Sequence, residues 1–206
     1  SRGLGDVYKR QHSQNATNDL IMHGDQKDNI LWSGYGNDIL HGYEGNDELM
    51  CGRGNSIVYG NEGDDILHGS FGNHTFYGGP GNDEINNPNK IWLDGSISNI
   101  IIDGGTGQDT MWGVKREGDW SADAASKTTF ILRQGDGSME VAEADRVFNF
   151  KDNKDVFKLD GSLAFNDLTI STVSNSYIGN DMTMISVTST SEILALVDTV
   201  ASNIGL

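Results

Sequence analysis

The sequence predicts an all-β protein: a right-handed parallel β-roll, or β-solenoid, of nonapeptide repeats, capped by a C-terminal antiparallel β region. Two observations predict this fold. Apolar residues recur at every ninth position through the first half of the chain, and a fixed period of this kind indicates stacked repeating units. Beyond residue 113 the period is lost, and short alternating apolar runs separated by turn residues take its place, which favours antiparallel strands.

The repeat is clearest from Ser33, where the chain reads SGYGNDILH, GYEGNDELM, CGRGNSIVY, GNEGDDILH, GSFGNHTFY and GGPGNDEIN. Each block divides into a six-residue turn and a three-residue strand whose middle side chain points inward. The turn needs glycine because its backbone must take positive φ and lie close to the neighbouring coil. The predicted inward row is apolar throughout: Met22, Leu31, Leu40, Leu49, Val58, Leu67, Phe76 and Ile85, then Leu93, Ile102 and Met111 after a one-residue deletion.

Two blocks of nine residues complete one coil, so turns on one edge of the roll recur every 18 residues. The sixth turn positions must therefore be sorted into two rows. One row reads Asn29, Asp47, Asp65 and Asp83, and the other reads Leu20, Asp38, Ser56 and His74. Because the second row loses its carboxylates, we expect the two edges to differ. On the second edge we expect an amide ladder of Asn37, Asn55 and Asn73.

The turns GYEGND, GNEGDD and GGPGND resemble the nonapeptide G-G-x-G-x-D-x-U-x of the RTX, or haemolysin-type calcium-binding repeat, family. The resemblance implies that sixth-position aspartates and turn carbonyls bind Ca²⁺ between coils, and such oxygen ligands suit a hard cation. We expect two or three sites: Asp47 with Asp65, Asp65 with Asp83, and a weaker one between Asn29 and Asp47. The candidate metal residues are Asp47, Asp65, Asp83, Asp38, Asn29, Gly45, Gly60, Gly63, Gly78, Gly81 and Asp109.

The charge balance favours a cationic partner. The 206 residues include 30 Asp or Glu and 14 Lys or Arg, which gives a formal net charge of −16. Such a charge repels phosphate backbones and anionic bilayers, so we expect neither a nucleic-acid nor a membrane partner. The single Cys51 excludes an internal disulfide. With one cysteine and no paired histidine spacing, zinc and copper have little support.

One outward face of the predicted roll carries an apolar and aromatic stripe. The simplest explanation is β-propensity or docking within the chain, and a glycan or a surface partner is the alternative. Ice binding is disfavoured, because the turn position that would need a regular small polar residue holds Tyr35, Arg53 and Phe71. The stripe consists of Ile39, His41, Ile57, Tyr59, Thr75 and Tyr77.

We divide the chain into three parts. Residues 1–11, SRGLGDVYKRQ, resemble the translated read-through of a sequencing-library adapter, as in a metagenomic fragment, and are set aside as adapter-derived or disordered. Residues 12–113 form the RTX roll, and residues 114–206 form the C-terminal β cap with a candidate secretion region. The cap is expected to contain strands at Thr128 to Leu132, Val156 to Leu159, Leu168 to Val173, Met182 to Val187 and Ile193 to Val197.

Within the cap, the segment DRVFNFKDNKDVFKL at residues 145–159 is similar to the segment that follows the repeats in secreted bacterial metalloproteases and related RTX proteins. Asp145, Val147, Phe150, Asp155, Phe157 and Leu159 match that segment. Asn149, Asn153 and Lys158 depart from it, which argues against an extra calcium site there.

The family resemblance implies a calcium-binding module that ends a type I secreted protein and folds outside the cell, either free or at the cell surface. No HExxH, GxSxG, phosphate-binding glycine loop or CxxC pattern occurs, so we expect no enzyme in this chain, although an upstream part could carry one. An adhesin or surface-layer module and a polysaccharide-binding module are the alternatives. We expect a monomer.

Overall fold

The computed structural model describes the backbone of residues 10–12 and, in full, residues 18–86, 98–114, 126–151, 154–174 and 181–198. Two short 3-10 helices, Val141–Glu143 and Phe165–Asp167, accompany the strands in these ranges. No helix in the described part is long or apolar enough to cross a membrane. The strands are β1 (Arg10–His12), β2 (Ile21–His23), β3 (Ile30–Trp32), β4 (Ile39–Glu44), β5 (Glu48–Met50), β6 (Ile57–Glu62), β7 (Ile66–His68), β8 (His74–Pro80), β9 (Glu84–Asn86), β10 (Asn99–Thr106), β11 (Thr110–Trp112), β12 (Lys127–Leu132), β13 (Arg146–Phe148), β14 (Val156–Leu159), β15 (Leu168–Ser174), β16 (Asp181–Val187) and β17 (Ile193–Val197).

Strands β1 to β14 alternate between two sheets that face each other, and β15 to β17 all belong to one of them. Sheet A has the order β1-β3-β5-β7-β9-β11-β13-β17-β16-β15, and sheet B has the order β14-β12-β10-β8-β6-β4-β2. In the repeats, neighbouring strands are parallel and pair residues 18 positions apart, as Leu31 does with Leu49 and Leu40 with Val58. The predicted parallel β-roll, with two blocks to a coil, is therefore confirmed.

The core is a column of side chains between the two sheets. The inward row that the period predicts is buried from Met22 to Met111 wherever the structure describes it, and Leu93 lies outside the described residues. Phe130 and Val147 continue the column toward the C-terminal end. Full burial of each such side chain contributes roughly 1.5–3 kcal/mol, and the column holds the turns of successive coils in register.

Parallel stacking extends further along the chain than the nine-residue period. Ile102 pairs with Phe76, 26 positions earlier, and Phe130 pairs with Ile102, 28 positions earlier. Strands β12, β13 and β14, which the loss of the period assigns to an antiparallel cap, are parallel members of the roll. The roll therefore passes residue 113, because longer loops between coils remove the period without changing the stacking.

The antiparallel cap is confirmed for the last three strands. Strand β15 pairs with β16 and β16 with β17, all antiparallel, and β17 joins sheet A beside β13. The cap thereby pairs with the sheet A edge of the roll at β13, which would otherwise be an open strand edge. At the other end, β1 pairs with β3, so Arg10 and Gln11 of the segment set aside above lie in a strand.

Candidate metal centre

The turns of successive coils lie so close together that glycine is required where they meet. A Cβ added to Gly63 would lie 2.1 Å from the carbonyl oxygen of Gly45, and one on Gly81 would lie 2.0 Å from that of Gly63. Gly63 and Gly81 also have φ values of 126° and 147°, which L side chains rarely adopt. The carbonyl oxygens of these turns therefore lie directly against the next coil.

Along one edge of the roll, the sixth-position side chains form a continuous ladder, which we call the aspartate ladder. Every member after the first accepts, through Oδ1, a hydrogen bond from the backbone N–H of the member before it, at 2.7–2.9 Å. All members are buried, with at most 5% of their surface exposed. The ladder consists of Asn29, Asp47, Asp65, Asp83, Asp109 and Asp145.

The second carboxylate oxygen of these residues has no hydrogen-bond donor. Oδ2 of Asp47, Asp65, Asp83 and Asp109 is buried without a partner. A buried polar atom of this kind is destabilising unless another group compensates it. Asp38 Oδ2, on the opposite edge, is also without a partner, but among the described residues only the aspartate ladder has a row of such oxygens.

Backbone oxygens converge on the same places as the carboxylates. The position of a Cβ on Gly60 would be 2.2 Å from Asp65 Oδ2 and 2.7 Å from the carbonyl oxygen of Gly78. The corresponding Gly78 position would be 2.2 Å from Asp83 Oδ2 and 2.3 Å from the carbonyl oxygen of Gly104. A side chain at these first turn positions would fill the space between the oxygens. The atoms that could bind a metal here are all oxygens, which suits Ca²⁺ rather than a softer metal.

Burial raises the pKa of every carboxyl group in the ladder. Desolvation is the largest cause for each, neighbouring carboxylates add to it, and the backbone hydrogen bond opposes it. The ionised form is therefore disfavoured unless a cation is near. The pKa is about 6 for Asp47, about 7 for Asp65 and Asp109, and about 8 for Asp83 and Asp145.

The family model of the RTX calcium-binding nonapeptide repeat (4 copies) matches residues 23–58 and 59–86. Residues 23–86 of this chain are therefore RTX calcium-binding repeats. A search of curated proteins found no match. Among solved structures, the chain is similar to the AlgE6R3 subunit from the Azotobacter vinelandii mannuronan C5-epimerase, at 18% identity over 92% of this chain and 80% of that chain, with a TM-score of 0.23. The assignment of these residues as RTX repeats rests on the family match and on the geometry of the turns.

The aspartate ladder continues beyond the RTX match, which ends at residue 86. Asp109 follows Asp83 after 26 positions and Asp145 follows Asp109 after 36. Asp145 is not among the residues that the RTX pattern singles out. Its only sequence signal is that it opens the segment similar to the metalloprotease tail, and the departures at Asn149 and Lys158 do not affect its position.

On the opposite edge of the roll, Asp38 Oδ1 accepts from the backbone N–H of Leu20 at 2.9 Å, and the later members of the row are neutral acceptors. The backbone N–H of Asp38 donates to Ser56 Oγ at 3.2 Å, and that of Ser56 donates to His74 Nδ1 at 3.3 Å. His74 Nε2 lies 3.2 Å from the carbonyl oxygen of Ser70, so the ring is held as the tautomer protonated at Nε2. Burial lowers the pKa of His74 to about 4. Serine and neutral histidine thus make the bonds that aspartates make on the other edge.

Two of the three first turn positions on this opposite edge lack glycine. They hold Ser33 and Cys51, both buried, and the third is Gly69. The Sγ atom of Cys51 lies 3.5 Å from His74 Nδ1, and burial raises the pKa of this thiol to about 12. A side chain therefore occupies the space that glycine leaves open beside the aspartates.

The predicted amide ladder is present on the same edge. The backbone N–H and Nδ2 of Asn55 both donate to Asn37 Oδ1 at 3.0 Å, and Asn73 donates to Asn55 Oδ1 in the same way. Asn99 extends the row by one member. These bonds join the coils without a metal.

The predicted metal residues thus fall into two groups. The structure brings together Asn29, Asp47, Asp65, Asp83 and Asp109 in one ladder, with the candidate glycines in the adjoining turns. It places Asp38 on the opposite edge, where the next members are Ser56 and His74. Among the described residues, no three His, Cys, Asp or Glu side chains form a ready metal cluster, so an ion at the ladder would need turn carbonyls as further ligands.

Proposed function

We propose that this chain is a calcium-dependent folding module whose ions lie along the aspartate ladder. One observation carries the proposal: the row of buried Oδ2 atoms without donors at Asp47, Asp65, Asp83 and Asp109. A divalent cation compensates such oxygens and cancels the repulsion between stacked carboxylates.

Each ion would be held by carboxylates of two neighbouring coils and by carbonyl oxygens of the turn glycines. The ladder contains four consecutive carboxylate pairs, from Asp47 to Asp145, and one amide–carboxylate pair at Asn29. We therefore extend the expected two or three sites to four, with a weaker one at Asn29. The glycine carbonyls we assign to them are those of Gly45, Gly60, Gly63, Gly78 and Gly81. We leave Asp38 out, because its neighbours in the row, Leu20 and Ser56, carry no carboxylate.

The binding energy is large enough to decide whether the module folds. At free calcium about ten to a hundred times Kd, one site stabilises the native state by roughly 1.4 to 2.7 kcal/mol. Several sites together match a typical total stability of about 5 to 15 kcal/mol. Without calcium the ladder leaves buried charges uncompensated, so we expect the metal-free chain to be largely unfolded.

This calcium dependence supports a place outside the cell. We propose that the module belongs to a protein exported by type I secretion, which stays unfolded at low cytosolic calcium and folds where calcium is abundant. The RTX match and the charge of −16 support the proposal. The monomeric state remains a prediction.

A glycan partner has no support from the aromatic stripe. Tyr59 and Tyr77 stack on each other, with ring centroids 5.0 Å apart and planes 6° apart, and His41 stacks on Tyr59 at 4.7 Å and 2°. Sugars bind aromatic residues mainly over the ring faces, and here neighbouring rings cover each other's faces. We therefore do not extend the proposal to a polysaccharide.

The test is circular dichroism of the full chain during calcium titration, with magnesium as the control cation. We expect the β signal to appear with calcium and not with the same concentration of magnesium, because Mg²⁺ demands smaller, octahedral sites. A full β signal and an unchanged melting temperature in chelator would contradict the proposal. Calorimetric titration then counts the ions.

A further inference from the structure

The loop that follows β12 brings a further carboxylate to the end of the aspartate ladder. Asp136 of this loop and Asp145, the last member of the ladder, line one small cavity. The cavity has a volume of about 10 Å³, which is about the space that one water-sized body needs. Gly104, Arg133 and Leu194 contribute to its wall.

A buried oxygen without a donor lies beside the same cavity. Asp109 is fully buried, and its Oδ2 has no hydrogen-bond partner among the described residues. A Cβ on Gly104, which is part of the cavity wall, would lie 2.2 Å from this oxygen. Such an atom is destabilising unless another group compensates it. The cavity and the oxygen therefore point independently to a bound cation.

The carboxylates around the cavity outnumber the one cationic side chain there. Nη1 and Nη2 of Arg133 donate to the two oxygens of Asp103 at 2.7 and 2.6 Å. Nη1 also donates to Asp136 Oδ2 at 3.0 Å, which fixes this carboxylate and leaves its Oδ1 for another partner. Burial is the main cause of the raised pKa of Asp109 and Asp145, and the charge of Asp136 adds to it in both. With these four acids ionised, one guanidinium group leaves three negative charges uncompensated.

The same loop is attached to the antiparallel cap. The backbone N–H groups of Gly135 and Gly137 donate to Glu192 Oε1 at 2.7 and 3.1 Å. Ser138 and Ile193 exchange two backbone hydrogen bonds, at 3.1 and 2.7 Å. Ile193 is the first residue of β17, the cap strand that pairs with β13. An ion bound by the loop would therefore connect the cap to the roll.

We propose that Asp136 is a further ligand of the last calcium ion of the ladder, the one between Asp109 and Asp145, and that this ion fastens the cap to the roll. The inference rests on the calcium-binding function proposed above and adds to it a ligand from outside the RTX repeats. Asp136 supplies Oδ1, while Arg133 holds its Oδ2 and neutralises Asp103. Docking of the cap is then regulated by calcium, because the last ion holds the loop that contacts the cap.

The test compares Asp136→Asn with Asp160→Asn in the full chain. Both aspartates contact Arg133, but Asp160 lies 3.5 Å from it and is not part of the cavity. Asp136→Asn retains an acceptor for Arg133 and removes the charge. Hydrogen exchange is followed by mass spectrometry during a calcium titration. It gives one midpoint of protection for residues 133–138 with β17, and another for the repeats in residues 18–86.

We expect Asp136→Asn to raise the calcium midpoint of the loop and β17 by at least about tenfold, because calcium affinity depends on the number of charged ligands. The midpoint of the repeats should move much less, and Asp160→Asn should move neither. If Asp136 only forms an ion pair with Arg133, its replacement should lower protection at every calcium concentration without moving the midpoint. That result, or equal midpoints in the two variants, would overturn the assignment.

This inference and the proposed function fail in different ways. If calcium changes neither the β signal nor the hydrogen exchange of the wild type, both are overturned. If calcium folds the wild type but Asp136→Asn keeps the wild-type midpoint for the loop, only the assignment of Asp136 is overturned. Circular dichroism in saturating calcium checks the folding of each variant. If Asp136→Asn does not fold, Asp136→Ser replaces it and should show the same shift.

Discussion

Asp65 occupies the middle of the aspartate ladder and should therefore serve two calcium ions. Its Oδ1 accepts from the N–H of Asp47 at 2.7 Å, its own N–H donates to Asp83 at 2.8 Å, and its Oδ2 has no partner. Asp65→Asn keeps the Oδ1 acceptor and the size of the side chain but removes the charge. We expect two calcium ions to be lost.

The expected loss of stability follows from those two sites. At free calcium about ten to a hundred times Kd, two sites together contribute about 3 to 5 kcal/mol. In chelator at pH 8 the order should reverse, because the variant no longer buries a carboxyl group whose pKa is about 7. There, Asp65→Asn should be at least as stable as the wild type, which a purely structural role of Asp65 would not allow.

Calorimetry counts the ions, urea unfolding followed by circular dichroism measures stability in calcium, and the β signal without urea compares the folded fractions in chelator. Asp38→Asn is the matched control, because Asp38 also has a buried Oδ2 without a partner but lies on the edge that continues through Ser56 and His74. It should lose no calcium. Equal calcium loss in the two variants, or equal destabilisation of Asp65→Asn with and without calcium, would refute the reasoning.

Four further predictions follow from the same geometry. Asp145→Asn, at the end of the ladder, should lose one ion instead of two; calorimetry that finds no loss would remove Asp145 from the site. In chelator, the ladder carboxyls have a folded pKa of about 6 to 8 against an ordinary value of 3.8, so their contribution is present below pH 3.8 and lost as the pH rises through 6 to 8. The folded fraction of the metal-free chain, read from its β signal, should therefore be larger at pH 5 than at pH 8, although His74, with its lowered pKa, acts in the opposite direction below pH 6.5; a larger folded fraction at pH 8 would contradict the raised carboxyl pKa values. Gly63→Ala should destabilise the roll more than Gly135→Ala, because both glycines have positive φ but only Gly63 has a carbonyl oxygen 2.1 Å from the added Cβ; equal melting temperatures would show that contact to be unimportant. Leu67→Ala should reduce the free energy of unfolding in calcium by about 2 to 5 kcal/mol, whereas Ile66→Ala, on the outer face, should reduce it by much less, and similar losses would contradict the alternation of inward and outward side chains.

The nine-residue period was sufficient to predict where each side chain lies in those coils whose connecting loops have constant length. In residues 18–86 the inward side chains recur every nine residues, so position in the block decides both the direction of a side chain and the edge on which it lies. That rule places Leu67 in the core, Asp65 with Asp47 and Asp83, and Asn55 with Asn37, as the structure shows.

Periodicity failed where loops of other lengths join the coils. Asp109 and Asp145 join the ladder after 26 and 36 positions, and β12 to β14 continue the roll beyond residue 113. Stacking depends on hydrogen bonds between strands and on a continuous core, and neither requires a constant loop. A fixed spacing therefore detects only the regular part of the roll.

The sequence by itself determined the all-β class, the coil of 18 residues, the inward row and the difference between the two edges, because each depends on a repeat that is local in the chain. Only the tertiary structure decided which distant residues complete those rows. In the structure, Asp145 accepts the hydrogen bond from the backbone N–H of Asp109, and the Cys51 side chain contacts His74. The Tyr43 ring stacks on those of His23 and His41. These contacts arise from the stacking of coils, in which neighbours in space are separated by loops whose length the backbone hydrogen bonds do not restrict.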